Sequence, residues 1–301
     1  MSVHSFFDVV EACVNGKRYR GQGLNDTDMQ MYRFLRASQE VFKIHCYYGG
    51  AYSYRDETED YKWSADAFID LYEKKLAKKG TAARFYYEAL KGQATDRKCQ
   101  ICHCGKAEGL DHYLPKESFP SLSIAIYNLI PCCLACNGKK STYKPGAEGE
   151  QTIHPRYDQI FKEEWLEGVY DSVARKIVFK PNRRYHPEGS IGYSKIETHM
   201  RVHELYEMYE IKALAQIRKM VAYATAEGVE IESYINSELR KLRANASYFK
   251  NAKYTFDHWK WITCEALLKS SDFLSNGYKY FQAQARYYQD EERFEGMDVT
   301  S

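Results

Sequence analysis

A chain of 301 residues has room for one large domain or two, with a full hydrophobic core on either count. Lysine plus arginine (43) nearly balance aspartate plus glutamate (41), which argues against a protein that coats nucleic acid through its overall field and leaves local phosphate binding. No run approaches the roughly 20 apolar residues that span a membrane, and residues 1–23 carry no apolar signal core, so the expectation is a soluble, cytoplasmic protein.

The first elements in chain order are amphipathic helices over residues 3–13 and about 27–46, followed by a Gly-, Tyr- and acid-rich loop from Tyr47 to Trp63. Ser64 is placed to cap a helix that ends in lysines before Gly80, and a short helix, TAARFYYEALKG, delivers the chain to the first cysteines. Leu110–Leu114 and Asn128–Pro131 read as the strands of a hairpin, and CLACNGKKS as the start of a helix. Residues 169–180 alternate as a strand or hairpin, and 181–192 are irregular. Ser194 and Glu197 form a capping box that opens a helix running to Gly228, with further helices over about 230–250 and 255–285. The fold class is therefore α+β and predominantly helical, with three regions: helical residues 1–95, a central module over 96–160, and residues 161–301 holding a short hairpin and then helices.

Six of the nine cysteines lie within residues 99–136. Such crowding favours metal in a reducing compartment over a secreted disulfide scaffold. Cys99/Cys102 and Cys133/Cys136 form two CxxC knuckles, a spacing that brings four thiolates to one tetrahedral zinc. A redox CxxC needs one such pair and leaves the second unexplained. Cys104 and Cys132 are alternatives to Cys102 and Cys133, but the 99/102 and 133/136 set gives the matched knuckles; buried thiol is the default for the other two. Between the knuckles lie Asp111, whose carboxylate suits a hard cation such as Mg²⁺, and His112, whose neutral imidazole accepts a proton from water at cytosolic pH. Asn128 and Asn137 add amide oxygens, one able to fix the imidazole and one able to ligate a hard cation.

Taken together, the CxxC knuckles, LDHYLPK and YNLIPCCLACN resemble the HNH (ββα-metal) endonuclease family, in its free-standing bacterial type whose hairpin and helix are stapled by a four-cysteine structural zinc. The resemblance covers residues 99–140, and IHPRYD at 153–158 is similar to the tail of such proteins. It implies a zinc-stapled ββα-metal module between helical segments and hydrolysis of nucleic-acid phosphodiesters, DNA before RNA. Matched by position, His112 is the general base, Asp111 and Asn137 hold a catalytic Mg²⁺ or Mn²⁺, and Asn128 orients the base. The resemblance also implies, by the habits of the family, an effector nuclease of a bacterial anti-phage defence system with a regulatory ATPase or sensor as partner.

Lys139, Lys140 and, more weakly, Lys116 are placed either to touch flanking phosphates or to form solvated faces. His154 either approaches the site or fixes a loop. Residues 183–201 and 238–253 interleave cations with aromatic rings, as backbone-binding surfaces and solvated helix faces both do. The competing function is a zinc-stapled nucleic-acid- or protein-binding module without catalysis.

Overall fold

In the computed structural model, residues 6–15, 24–248 and 258–284 are described, with the side chains of 245–248 excepted. The chain is mostly helical with two small two-stranded sheets. It divides into two compact units, one of Met1–Gln159 with Ser194–His203 and the other of Ile160–Tyr193 with Glu204–Ser301. No helix among the described residues is long and apolar enough to cross a membrane.

The first unit begins with α1 (Phe6–Asn15) and α2 (Asp26–Tyr47). Asn25 starts α2 by accepting the amide of Asp28 at 2.9 Å, and acids fill the first turn where the helix dipole favours them. In α3 (Ala65–Asp70) Ser64 accepts from the amide of Ala67, and the helix runs on as a π turn, Leu71–Leu76, before α4 (Arg84–Lys91). Phe34, Leu35, Phe68, Leu76, Tyr86 and Leu90 from these helices share one core with Leu110, Ile124, Ile126 and Leu129. The helical residues before 96 and the cysteine-rich segment after it are thus packed as a single body.

Strands β1 (Gly109–His112) and β2 (Leu129–Cys132) pair antiparallel with Leu110 opposite Pro131 and His112 opposite Leu129. Pro131 has no amide to offer, and its position is one where Leu110 directs its own amide and carbonyl away from β2. Both groups are satisfied by tyrosine hydroxyls at 3.2 Å, Tyr87 accepting from the amide and Tyr72 donating to the carbonyl. Helix α5 (Leu134–Lys140) follows β2 directly.

In the second unit β3 (Leu166–Asp171) and β4 (Lys176–Pro181) form the other hairpin. After α6 (Ile191–Val202), whose last residues belong to the first unit, come α7 (Leu205–Glu227), α8 (Ile231–Tyr248) and α9 (His258–Lys269). Helix α7 packs along β4 and α9 along β3. Gly168 makes the second approach possible, since a Cβ there would stand 2.6 Å from a methyl of Ile262.

Two expectations are corrected here. The capping box at Ser194 is not formed: the helix starts earlier, with Ser190 Oγ accepting from the amide of Tyr193 at 3.1 Å, and Ser194 lies inside α6. The single helix to Gly228 is two helices, broken where Glu204 takes a left-handed conformation with φ of 50°. The break is too short to disturb the apolar spacing. Gly228 does end α7, at φ 64°. Residues 249–257 and 285, included in the expected C-terminal helices, lie outside the described residues, as do residues 3–5 of the first.

Candidate metal centre and histidine site

The thiol sulfurs of Cys99, Cys102, Cys133 and Cys136 lie within 4.8 Å of one another, all four buried. Cys102 and Cys133 are 3.9 Å apart, sulfur to sulfur. A tetrahedral site with zinc–sulfur bonds of about 2.3 Å has sulfur–sulfur edges of about 3.8 Å, so the cage has the dimensions of a zinc site. Four thiolates this close repel one another unless a cation sits among them, and the donor set is that of zinc. The backbone builds the cage. Ile101 points its amide at Cys99 Sγ, His103 turns at φ 54°, and Gly105 passes so near Cys133 that a Cβ would lie 3.0 Å from the cysteine Cβ. Cys133 is both a corner of the cage and the N-cap of α5, its sulfur accepting from the amide of Cys136. Cys132 and Cys104 lie outside the set; Cys132 is a buried thiol whose pKa is pushed up by burial.

Two histidines, His199 on α6 and His203 just past its end, support the cage. His199 Nε2 donates to the carbonyl of Ile101 at 3.2 Å while its Nδ1 accepts from the amide of Ile153. His203 Nδ1 donates to the carbonyl of Cys136 at 3.2 Å. Each ring thus grips the main chain of one knuckle, the kind of support around a metal's ligands that keeps them oriented. The signal was available as a His-x-x-x-His pair on one helical face.

β1 positions Asp111 and His112, and both are buried. His112 Nε2 lies 2.8 Å from the carbonyl of Ser123. A carbonyl only accepts, so Nε2 carries the proton and Nδ1 keeps its lone pair. Burial pushes the imidazole pKa down to about 4, leaving the ring neutral at physiological pH, and it stands edge-on to Tyr72 at 4.3 Å. Asp111 is pushed up to about 6 by burial, against the pull of Lys140, whose Nζ is 3.2 Å from Oδ1.

Lys140 is the main departure from expectation. Placed by its sequence position on a solvated or phosphate-facing helix surface, it is only 3% exposed and donates both to Asp111 and to the carbonyl of His112. The short α5 turns its last residue inward because Cys136 and Lys140, one turn apart, share its buried face, from which Lys140 reaches β1. Asn137 is half-buried and Lys139 exposed. Lys116 is paired with Glu73 at 3.4 Å and with Glu117.

Asn128 does not reach the imidazole. Fully buried, it accepts from the amide of Leu114 and donates to the carbonyls of Leu114 and Leu122, at 2.8, 2.9 and 3.3 Å. It thereby closes the loop between the strands, and that loop presents the Ser123 carbonyl to His112. His154 fixes a loop, as one of the two expectations had it: Nε2 donates to the carbonyl of Tyr127 at 3.1 Å and Nδ1 accepts from Arg156. Among the interleaved cations, Lys195 is buried on Asp158, Arg183 pairs with Glu188 and Lys241 with Glu238; residues 245–253 of the second stretch are outside the described side chains.

The chain is similar to protein ea31 of Escherichia phage lambda, with 24% identity over 218 residues, 67% of this chain and 72% of that protein. It is also similar to the Septu protein PtuB of Bacillus thuringiensis, with 28% identity over 163 residues, 48% of this chain and 62% of PtuB. No family model matches the chain. No solved structure matches it either.

Proposed function

We propose that the chain is an HNH-type endonuclease that hydrolyses nucleic-acid phosphodiesters, DNA ahead of RNA, and acts in the cytoplasm as the effector of an anti-phage system under a partner such as an ATPase or sensor. The observation that carries this is His112: a buried, neutral imidazole with Nε2 tied to Ser123 and Nδ1 left with a lone pair, on a strand beside a zinc-sized thiolate cage. The similarity to PtuB supports the defence setting.

In this reading Nδ1 of His112 takes the proton of an attacking water, Ser123 holds the ring in the tautomer that can do so, and Asn128 holds the loop that carries Ser123. Asp111 and Asn137, which offer hard oxygen donors, would hold Mg²⁺ or Mn²⁺, which when bound neutralises charge on the scissile phosphate and leaving oxygen. Lys139, exposed on the same helix, is placed to meet a flanking phosphate. The four-cysteine zinc is structural. A second reading, a binding module without catalysis, is favoured by one observation: Lys140 already neutralises Asp111. Purified protein incubated with labelled DNA and RNA in Mg²⁺ or Mn²⁺ separates the two. Cleavage by wild type and none by His112→Ala supports the nuclease; no cleavage of any substrate supports the binding module.

A further inference from the structure

The Asp111 carboxylate is held by an ammonium from within the chain. Lys140 Nζ sits 3.2 Å from Asp111 Oδ1, and its other bond to the carbonyl of His112 anchors it between the two residues that the proposed chemistry needs. Both side chains are almost wholly out of water, at 2% and 5% exposure. A divalent ion on a carboxylate oxygen sits at about 2.1–2.5 Å. With Nζ in its present place such an ion would stand beside a second positive charge in a low-dielectric setting, where like charges repel far more strongly than in water. An ion that took Oδ1 would have to displace Nζ from it, and one that took the other oxygen would still face the ammonium across the carboxylate.

We infer that Lys140 and a divalent cation compete for Asp111, the lysine closing the site to the ion until its ammonium is displaced. The inference rests on the reading of Asp111 as the hard-cation ligand. It makes Lys140 a positioning residue that holds the Asp111 carboxylate ionised and in place, and it implies weak affinity of the wild-type protein for divalent ions. A lysine that leaves Asp111 on metal binding also becomes available, on the same helix as Lys139, to a phosphate oxygen.

The test is Mn²⁺ binding to the zinc-loaded protein, followed by electron paramagnetic resonance. Lys140→Met keeps the length and apolar stem of the side chain while removing the charge, and is expected to bind Mn²⁺ at least about tenfold more tightly than wild type. Lys140→Arg is expected to stay as weak as wild type, and Asp111→Asn combined with Lys140→Met to lose the gain. Equal affinity in wild type and Lys140→Met, with zinc retained in both, overturns the inference. Should Lys140→Met fail to fold, the wild-type protein decides. Acetylation of Lys140, read by peptide mass spectrometry with exposed Lys139 as the internal standard, is expected to be slow without Mn²⁺ and to rise at least several-fold on saturation with it. Protection that does not change overturns the competition. Cleavage assays on the same samples keep the two ideas apart. A protein that shows competition but cuts no nucleic acid refutes the nuclease reading alone, and one that cuts without competition refutes this inference alone.

Discussion

His112 donates from Nε2 to the carbonyl of Ser123, a residue eleven positions further along within the loop between the strands. The bond selects the tautomer. With burial pushing the ring down to about 4, His112 is neutral from mildly acidic to alkaline pH and needs no deprotonation step before acting as a base. His112→Ala is expected to lower cleavage by at least about 100-fold, the usual scale for a lost general base, while zinc content and circular dichroism stay unchanged. Wild-type rates in that variant would remove His112 from the role.

Zinc is expected at one equivalent per chain, measured by elemental analysis. Replacing Cys99 or Cys136 with serine removes a ligand from a four-sulfur cage, and a structural zinc contributes on the order of 10 kcal/mol to folding. Both variants should lose the metal and the cooperative unfolding transition of the first unit together. A folded, zinc-free wild type would refute the assignment.

His199 and His203 are expected to matter to the zinc without touching it. Loss of either ring frees a knuckle carbonyl, Ile101 or Cys136, that is buried with its donor. His199→Ala and His203→Ala should release zinc to a competing chelator with affinities lowered about 10- to 100-fold, and should destabilise by roughly 1–3 kcal/mol. Unchanged zinc retention in both would show that the rings merely fill space.

Acid should weaken the first unit through buried imidazoles. His154 is pushed down to about 3 by burial, with Arg156 next in effect, and His112 to about 4. The unfolded chain therefore binds more protons than the folded one between these values and the ordinary histidine pKa near 6.5. Stability present above about 6.5 is lost as pH falls through that window, by roughly 1.4 kcal/mol per pH unit for each such ring at full effect. Asp111, raised from 3.8 to about 6, works in the opposite sense over its narrower range. The melting temperature should fall from pH 6.5 toward 4.5, and His154→Asn should flatten that slope while lowering stability at neutral pH. A slope identical to wild type would place the acid sensitivity elsewhere.

In the second unit, Gly168→Ala puts a methyl 2.6 Å from Ile262 and 3.0 Å from Ile177. Helix α9 must move off β3, and a loss of roughly 1–3 kcal/mol is expected from chemical denaturation.

The metal staple and the hairpin were legible because their signals are local. Cysteine spacing within each knuckle and Ser64 before an amphipathic run each act within a few residues. Gly228 was legible for the same reason, since it takes the positive φ that marks the end of α7; Gly80 also has a positive φ, but the helical run before it already stops at Leu76. Lys140 was not, because its burial depends on how a seven-residue helix is tilted against β1, and lysine is seldom buried without a partner. Asn128 was read as a partner of His112, but its amide is used by main chain at both ends of the loop, and only the fold reveals that the two are linked through Ser123. The break at Glu204 is not visible in the sequence because the apolar period continues through it, nor are the roles of His199 and His203, because the cysteines they support lie more than sixty residues earlier in the chain.

Cys133 holds the metal cage and starts α5 with the same sulfur, and α5 carries Asn137 and Lys140. Stripping zinc would therefore uncap the helix on which the proposed cation chemistry depends. On the proposed reading, a strong chelator is expected to inhibit by two routes, one fast and reversible through the hard cation, the other slow and reached only by reagents that extract thiolate-bound zinc. A time course with chelators ranked by zinc affinity, followed by rescue with Mg²⁺ alone or with Zn²⁺, turns that double dependence into a way of counting the metals.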